Sequence, residues 1–262
     1  MPKGKREFVN GEIYHLVLRR GGNELLFGDI DDYYRGIFYI YECNDTKSVK
    51  IKERREARAK FKKMIKKIEA EKGVKVKVKE LPKALVWKDK RDKIVEVLAF
   101  CLMPNHIHLL VRQLKDGGIS KFIQKIASGY AAYFKRKYGV KLRGHFFQDR
   151  FMAVHIKTED QLRVVFVYIH TNPVLLIEPE WKEKGIKDVE KTTRFLENYK
   201  WSSYPDYLGK ENFPSVTEKN FILNVMGGLE GCQRWVRYWL KFKREMRKLM
   251  EKFQPLLLEK HS

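Results

Sequence analysis

The sequence predicts an α+β fold, with helices packed on an antiparallel sheet, and two observations carry that expectation. Lys93 to Cys101 is a mostly apolar run of strand length, and Asn105 to Gln113 is a second one. Only a short turn at Pro104-Asn105 separates them, so they must pair as an antiparallel hairpin. On either side lie segments with the three-to-four residue apolar spacing of helices. Strands and helices alternate along the chain, but the hairpin rules out an all-parallel arrangement.

The elements follow in order. Glu12 to Leu18 reads as a first strand, broken by Gly21-Gly22. Asp29 to Tyr41 has helical spacing, and Asp29 with the acids after it suits a helix start. Glu53 to Lys72 is helical, with Phe61, Ile65 and Ile68 on one stripe. Val74 to Lys79 alternates Val and Lys at period two, as an edge strand or a solvated excursion would. After the hairpin, Ser120 to Tyr138 reads as a helix with Phe122, Ile126 and Tyr133 facing the core and Lys135, Arg136 and Lys137 at its basic end. A strand is expected within His145 to Ile156. A helix then opens at Thr158, a candidate N-cap, and runs to about Asn172, where Pro173 stops it. From about Gln233 the tail reads as an amphipathic helix docked by Trp235, Tyr238, Trp239 and Phe242.

The charge is lopsided. There are 55 Lys and Arg against 33 Asp and Glu, a formal net charge of +22. Heat adaptation would enrich both signs, whereas this excess points to a polyanionic partner, above all nucleic acid. Residues 50–90 hold 17 basic against 6 acidic residues and so carry half of the net charge. The segment reads as an insertion at about 46–92, as a DNA-backbone arm or as a solvated excursion. Cys43, Cys101 and Cys232 fit neither a disulfide framework nor a zinc finger, and no signal peptide or membrane span is evident. A cytoplasmic, nucleoid-associated protein without membrane contact is expected.

The chemistry concentrates at Met103-Pro-Asn-His-Ile-His-Leu-Leu-Val111. On a strand, alternate side chains share a face, so His106 and His108 project together and make half of a metal site. Alone the pair reads equally well as structural. Downstream, Tyr168 and Asn172 lie four apart on one helical face. If that face looks at the histidines, the set gains an amide oxygen and a phenol. A divalent metal held by His106, His108 and Asn172 would polarise a scissile phosphate, and Tyr168 would attack it, provided its phenol, ordinarily at a pKa of about 10, is activated. Tyr130, Tyr133 and Tyr138 are rival nucleophiles whose spacing suits packing better. Gln148 and Arg150 read equally as DNA-phosphate contacts or as supports of the sheet, and Lys135 and Arg136 are further candidate DNA contacts. His15 reads as a satisfied core histidine or as a partner of a metal-ligating histidine. His145, His155 and His170 have no assigned role.

Five segments in order resemble the REP-associated tyrosine transposases, within the single-tyrosine HUH (IS200-like) transposases. They are Gly11 to Val17, Leu102 to Leu110 with the two histidines, Gly144 to Phe151, Tyr168 to Val174, and Trp201-Ser-Ser-Tyr-Pro-Asp-Tyr-Leu208. The resemblance covers residues 10 to 210, leaving residues 211–262 as a basic helical extension of a catalytic domain at 1–210. It implies a ferredoxin-like (RRM-like) antiparallel sheet with helices on one face and the histidine motif on a central strand. It further implies His106, His108 and Asn172 as ligands of Mg²⁺ or Mn²⁺ and Tyr168 as the nucleophile. The activity implied is cleavage and rejoining of single-stranded DNA at hairpin or palindromic sites, by a monomer or homodimer. Two other classes remain: a non-catalytic RRM-like binder of single-stranded nucleic acid, against which stands the lack of a glycine-aromatic RNA-binding run, and a metal-dependent phosphoesterase acting through water.

Overall fold

A computed structural model of the chain describes residues 7–73, 89–140, 145–148, 151–241, 248 and 252–258. Four strands, β1 (Ile13–Arg19), β2 (Val95–Met103), β3 (His106–Gln113) and β4 (Met152–Ile156), form one antiparallel sheet in the order β2-β3-β1-β4. Helix α1 (Ile30–Glu42) links β1 to the β2–β3 hairpin side of the sheet, and α3 (Gly118–Tyr138) links β3 to β4. This βαββαβ order with interleaved strands is the ferredoxin-like arrangement.

Helix α1 starts where its sequence says it should. The Asp29 carboxylate accepts from the Asp32 amide while the Asp32 side chain accepts from the Asp29 amide, closing a reciprocal cap. Two glycines set the packing of this layer. A Cβ on Gly36 would stand 2.8 Å from a Leu102 methyl, and one on Gly129 would stand 2.5 Å from the Tyr39 ring. Their bare backbones let α1 approach the sheet and α3 approach α1. On that face Leu16, Leu18, Phe100, Leu102, Ile107 and Leu109 are fully buried or nearly so.

The opposite face is covered as well, by α4 (Glu159–Thr171), a helix beyond the sheet topology. Ala99, Cys101, Met103 and Leu110 pack there with Val165, Phe166, Tyr168 and Ile169 of α4. Behind α4 lie α5 (Trp181–Lys184), α6 (Val189–Asn198), α7 (Lys219–Met226) and α8 (Gly228–Lys241), which bring Trp181, Leu196, Ile222, Val236 and Trp239 into the same core. Helices therefore cover both faces of the sheet, where the family resemblance implied one. The nearly unbroken burial of β2 and β3 is the physical counterpart. Within α8 it is Val236 and Trp239 that are buried, while Tyr238 is 40% exposed.

The outer edge of β2 would be an open row of backbone groups. Residues 201–204 close it: the Leu102 amide donates to the Trp201 carbonyl (2.8 Å), the Ser203 amide to the Phe100 carbonyl (3.0 Å), and the Phe100 amide to Ser203 Oγ (3.0 Å). The strand expected within His145 to Ile156 is regular only from Met152. Phe147 makes an isolated bridge to Arg20, and Phe146 is turned inward under the Arg20 guanidinium, 3.7 Å from its ring centre. The Gly21 amide donates to the Phe146 carbonyl (3.2 Å) and the Gln148 amide to the Arg19 carbonyl (3.0 Å), so this segment pairs with the end of β1.

Residues 44–93 form a unit of their own. It contains α2 (Ile51–Lys72), which ends at Gly73 in the left-handed conformation with φ 67°. Its two ends meet where the Thr46 amide and hydroxyl donate to Asp92. Phe61, Ile65 and Ile68 are half-buried. The alternating run Val74 to Lys79 lies outside the described residues. No described helix is long and apolar enough to cross a membrane.

One buried carboxylate ties α1 to α3. Asp32 is fully buried and accepts from Tyr133 (2.8 Å), Tyr138 (2.6 Å), Lys137 (2.7 Å) and the Gly28 amide (2.8 Å). Burial by itself would raise this carboxyl, but the hydrogen bonds outweigh it and hold it below the usual carboxylate range. Asp32→Ala removes the acceptor of all these donors and is expected to cost about 2–4 kcal/mol in denaturant unfolding at unchanged slope. Because the native value is depressed, this stabilisation is complete above the unfolded value of about 3.9 and fades as pH falls through the native one. Asp32→Asn should accordingly flatten the loss of stability below about pH 4.

Candidate active site

The register of β1 on β3 opposes Arg19 to His106, Val17 to His108 and His15 to Leu110. Residues opposed across a pair share a face, so His15, Arg19, His106 and His108 all look toward α4. Tyr168 and Asn172 come from the end of that helix. The α4 backbone caps at Asn172, whose amide donates to the Tyr168 carbonyl, before a 3₁₀ turn over Asn172–Leu176 containing Pro173. The structure thus brings the two halves expected from sequence to one place. His106, His108, Tyr168 and Asn172 are 7%, 1%, 3% and 3% exposed.

The imidazoles form a chain. His106 Nε2 and His108 Nε2 are 3.0 Å apart, and His108 Nδ1 is 3.0 Å from His15 Nε2. His15 Nδ1 lies 2.6 Å from the Leu256 carbonyl, and His106 Nδ1 lies 2.5 Å from Asn105 Oδ1. The Tyr168 ring stands edge-on to His108 at 5.6 Å between centres and to His15 at 6.1 Å. Asn172 and His106 both line the same cleft. Burial pushes His106 down to about 3, helped by the charges of Arg19 and Lys182, and pushes His108 well below its ordinary value. Both rings are therefore neutral at pH 7, and their lone pairs are available without a proton being removed first.

A cleft of about 410 Å³ opens onto this set, lined by His106, Tyr168, Asn172, Asn105, Arg19 and Lys182 among others. Lys182 Nζ stands 5.6 Å over the Tyr168 ring. The donors suit a divalent cation. Two ligand atoms at about 2.1 Å from an ion and at right angles to each other stand about 3.0 Å apart, the separation of the two Nε2 atoms. Among the described residues no three of His, Cys, Asp and Glu cluster as metal ligands, so such an ion would draw on the two imidazoles with the Asn172 amide rather than on carboxylates.

The other candidates are dispersed. Gln148 lines a neighbouring cavity of about 450 Å³ that shares Arg19 with the cleft. Lys135 and Arg136 are exposed at the end of α3 and do not line either cavity. Arg150 lies outside the described residues. Tyr130 is fully buried and donates to the Leu26 carbonyl (2.7 Å), while Tyr133 and Tyr138 serve Asp32. The sequence reasoning missed Arg19, Lys182 and Asn105. Arg19 had a signal, since it lies at period two from His15 on the same strand. Lys182 had none, because only the packing of α5 brings it over Tyr168.

No curated protein matches the chain. A solved structure described as a REP-associated tyrosine transposase bound to a REP hairpin aligns over 84% of this chain and 93% of that one, at 15% identity and a TM-score of 0.45. Over residues 64–172, the span that carries His106, His108, Tyr168 and Asn172, the chain matches the family described as Transposase IS200 like.

Proposed function

We propose that the chain is a metal-dependent transposase or nickase that cleaves and rejoins single-stranded DNA through a phosphotyrosine. The observation that carries the reading is the convergence of Tyr168 and Asn172 from α4 with His106 from β3 in one cationic cleft, with His108 Nε2 3.0 Å from His106 Nε2. The match of residues 64–172 to an IS200-like transposase family supports it. Hairpin DNA as substrate follows from the family resemblance.

In this reading the Tyr168 oxygen attacks phosphorus as the bond to the 3′-oxygen breaks. The tyrosine proton is lost, a 3′-hydroxyl forms, and the DNA 5′-phosphate stays on Tyr168. An ester replaces an ester, so bond energy is kept and a second 3′-hydroxyl can reverse the step. Arg19 and Lys182 offset the charge of the phosphate, and Met103 and Leu175 add an apolar part to the cleft wall. A divalent ion held by His106, His108 and Asn172 would supply Lewis-acid polarisation of the phosphoryl oxygens.

Incubation with Mn²⁺ and a labelled single-stranded hairpin should give an adduct that survives a denaturing gel. Tyr168→Phe should abolish the adduct and reduce cleavage by at least about 1000-fold. Cleavage that persists in Tyr168→Phe would instead favour hydrolysis by water, and binding without cleavage in the native protein would favour the non-catalytic binder.

The ligand set is neutral and sits beside two cations, so the protein alone should hold Mn²⁺ weakly and hold it more tightly once a DNA phosphate occupies the cleft. Calorimetric titration with and without uncleavable phosphorothioate DNA measures this, and equal affinity in the two states would count against a shared site. Lys182→Ala should weaken DNA binding and lower the slope of log affinity against log salt by about one.

A further inference from the structure

We infer that the Leu256 carbonyl and His15 are positioning groups that fix the tautomer of His108, holding its Nε2 unprotonated and facing His106 Nε2. The inference deepens the metal-site reading above and rests on it for its purpose, though not for its geometry.

The argument is one of donors and acceptors. A backbone carbonyl only accepts, so with Leu256 O at 2.6 Å, His15 must carry its hydrogen on Nδ1. A neutral imidazole has one N–H, which leaves His15 Nε2 as an acceptor. His108 Nδ1, 3.0 Å away with the two ring planes within 19° of each other, must then be the donor. His108 Nε2 is left bare. At the other end the Asn105 amide oxygen accepts from His106 Nδ1 at 2.5 Å, which leaves His106 Nε2 bare also.

Two lone pairs thus face each other across 3.0 Å. Without the relay, His108 would be free to place its hydrogen on Nε2 and donate it to His106 Nε2. The two histidines would then satisfy each other, and the pair would close to a cation. The anchor lies deep: His15 is fully buried, Leu256 is 8% exposed and Leu257 1%. Neither His15 nor His108 lines the cleft itself. The influence of His15 passes through His108 to His106, which does.

The test uses the full-length protein labelled with ¹⁵N at histidine, free of metal, at pH 7. Long-range proton–nitrogen spectra should show His15 and His108 as Nδ1–H tautomers. In His15→Phe, His108 should move to the Nε2–H form and Mn²⁺ affinity, read by calorimetry, should fall about 10–100-fold. In His15→Gln the amide NH₂ can donate to Leu256 while its oxygen accepts from His108, so most of the affinity should return.

An Nε2–H tautomer of His108 in the native protein overturns the inference, with no variant needed. So does unchanged Mn²⁺ affinity in a folded His15→Phe protein. If instead the native tautomers are as stated but no Mn²⁺ binds, the relay stands and the metal reading falls.

Discussion

A strand hydrogen-bonded on both edges cannot turn its side chains over, and β3, pinned between β2 and β1, places everything else in the candidate site. A slip of one residue in its register would exchange the faces of His106 and His108 with those of Ile107 and Leu109. The apolar side of β3 is buried under α1 and α3, so that exchange would bury two imidazoles among aliphatic chains and expose the aliphatics to the cleft. The ordinary hydrophobic preference of three residues therefore fixes the direction of two chemically active ones.

Placing polar groups beneath α4 has a cost that the fold meets locally. A buried imidazole without partners loses its solvation, yet both nitrogens of His15 and the Nδ1 atoms of His106 and His108 have polar partners within 3.0 Å, leaving only the two Nε2 atoms for an ion. His170, two residues before Asn172, is handled in the same way through Nε2 to Ser203 Oγ at 2.8 Å. Ser203 belongs to the segment that closes the edge of β2, so the Trp201-Ser-Ser-Tyr204 element joins sheet edge and α4 through one hydroxyl. That gives a structural reason for a motif that does not itself line the cleft.

Much of this was legible in the sequence. Period-two alternation gave β3 and the common face of its histidines, the acids after Asp29 gave the start of α1, and four-residue spacing placed Tyr168 with Asn172. Each of those signals is local. What escaped was long-range: α4 covering the second face of the sheet, Lys182 over Tyr168, and Phe146 packed beneath Arg20. His15 shows the boundary most clearly. Its side chain could be assigned to a strand face from sequence, but its partner is a backbone carbonyl 241 positions away, and a carbonyl leaves no mark on composition or pattern.

That separation orders the assembly of the site. Chains emerge with their N-terminal part first, so β1 with His15 is made early, the β2–β3 hairpin supplies His106 and His108 next, and α4 then supplies Tyr168. Until residues 252–258 dock, His15 has no acceptor for its Nδ1 hydrogen and can hold either tautomer. In one of those tautomers His15 donates to His108, which then presents an N–H rather than a lone pair to His106. The sheet and Tyr168 can thus be in place while the histidine pair is still closed, and the docking of residues 252–258 opens it.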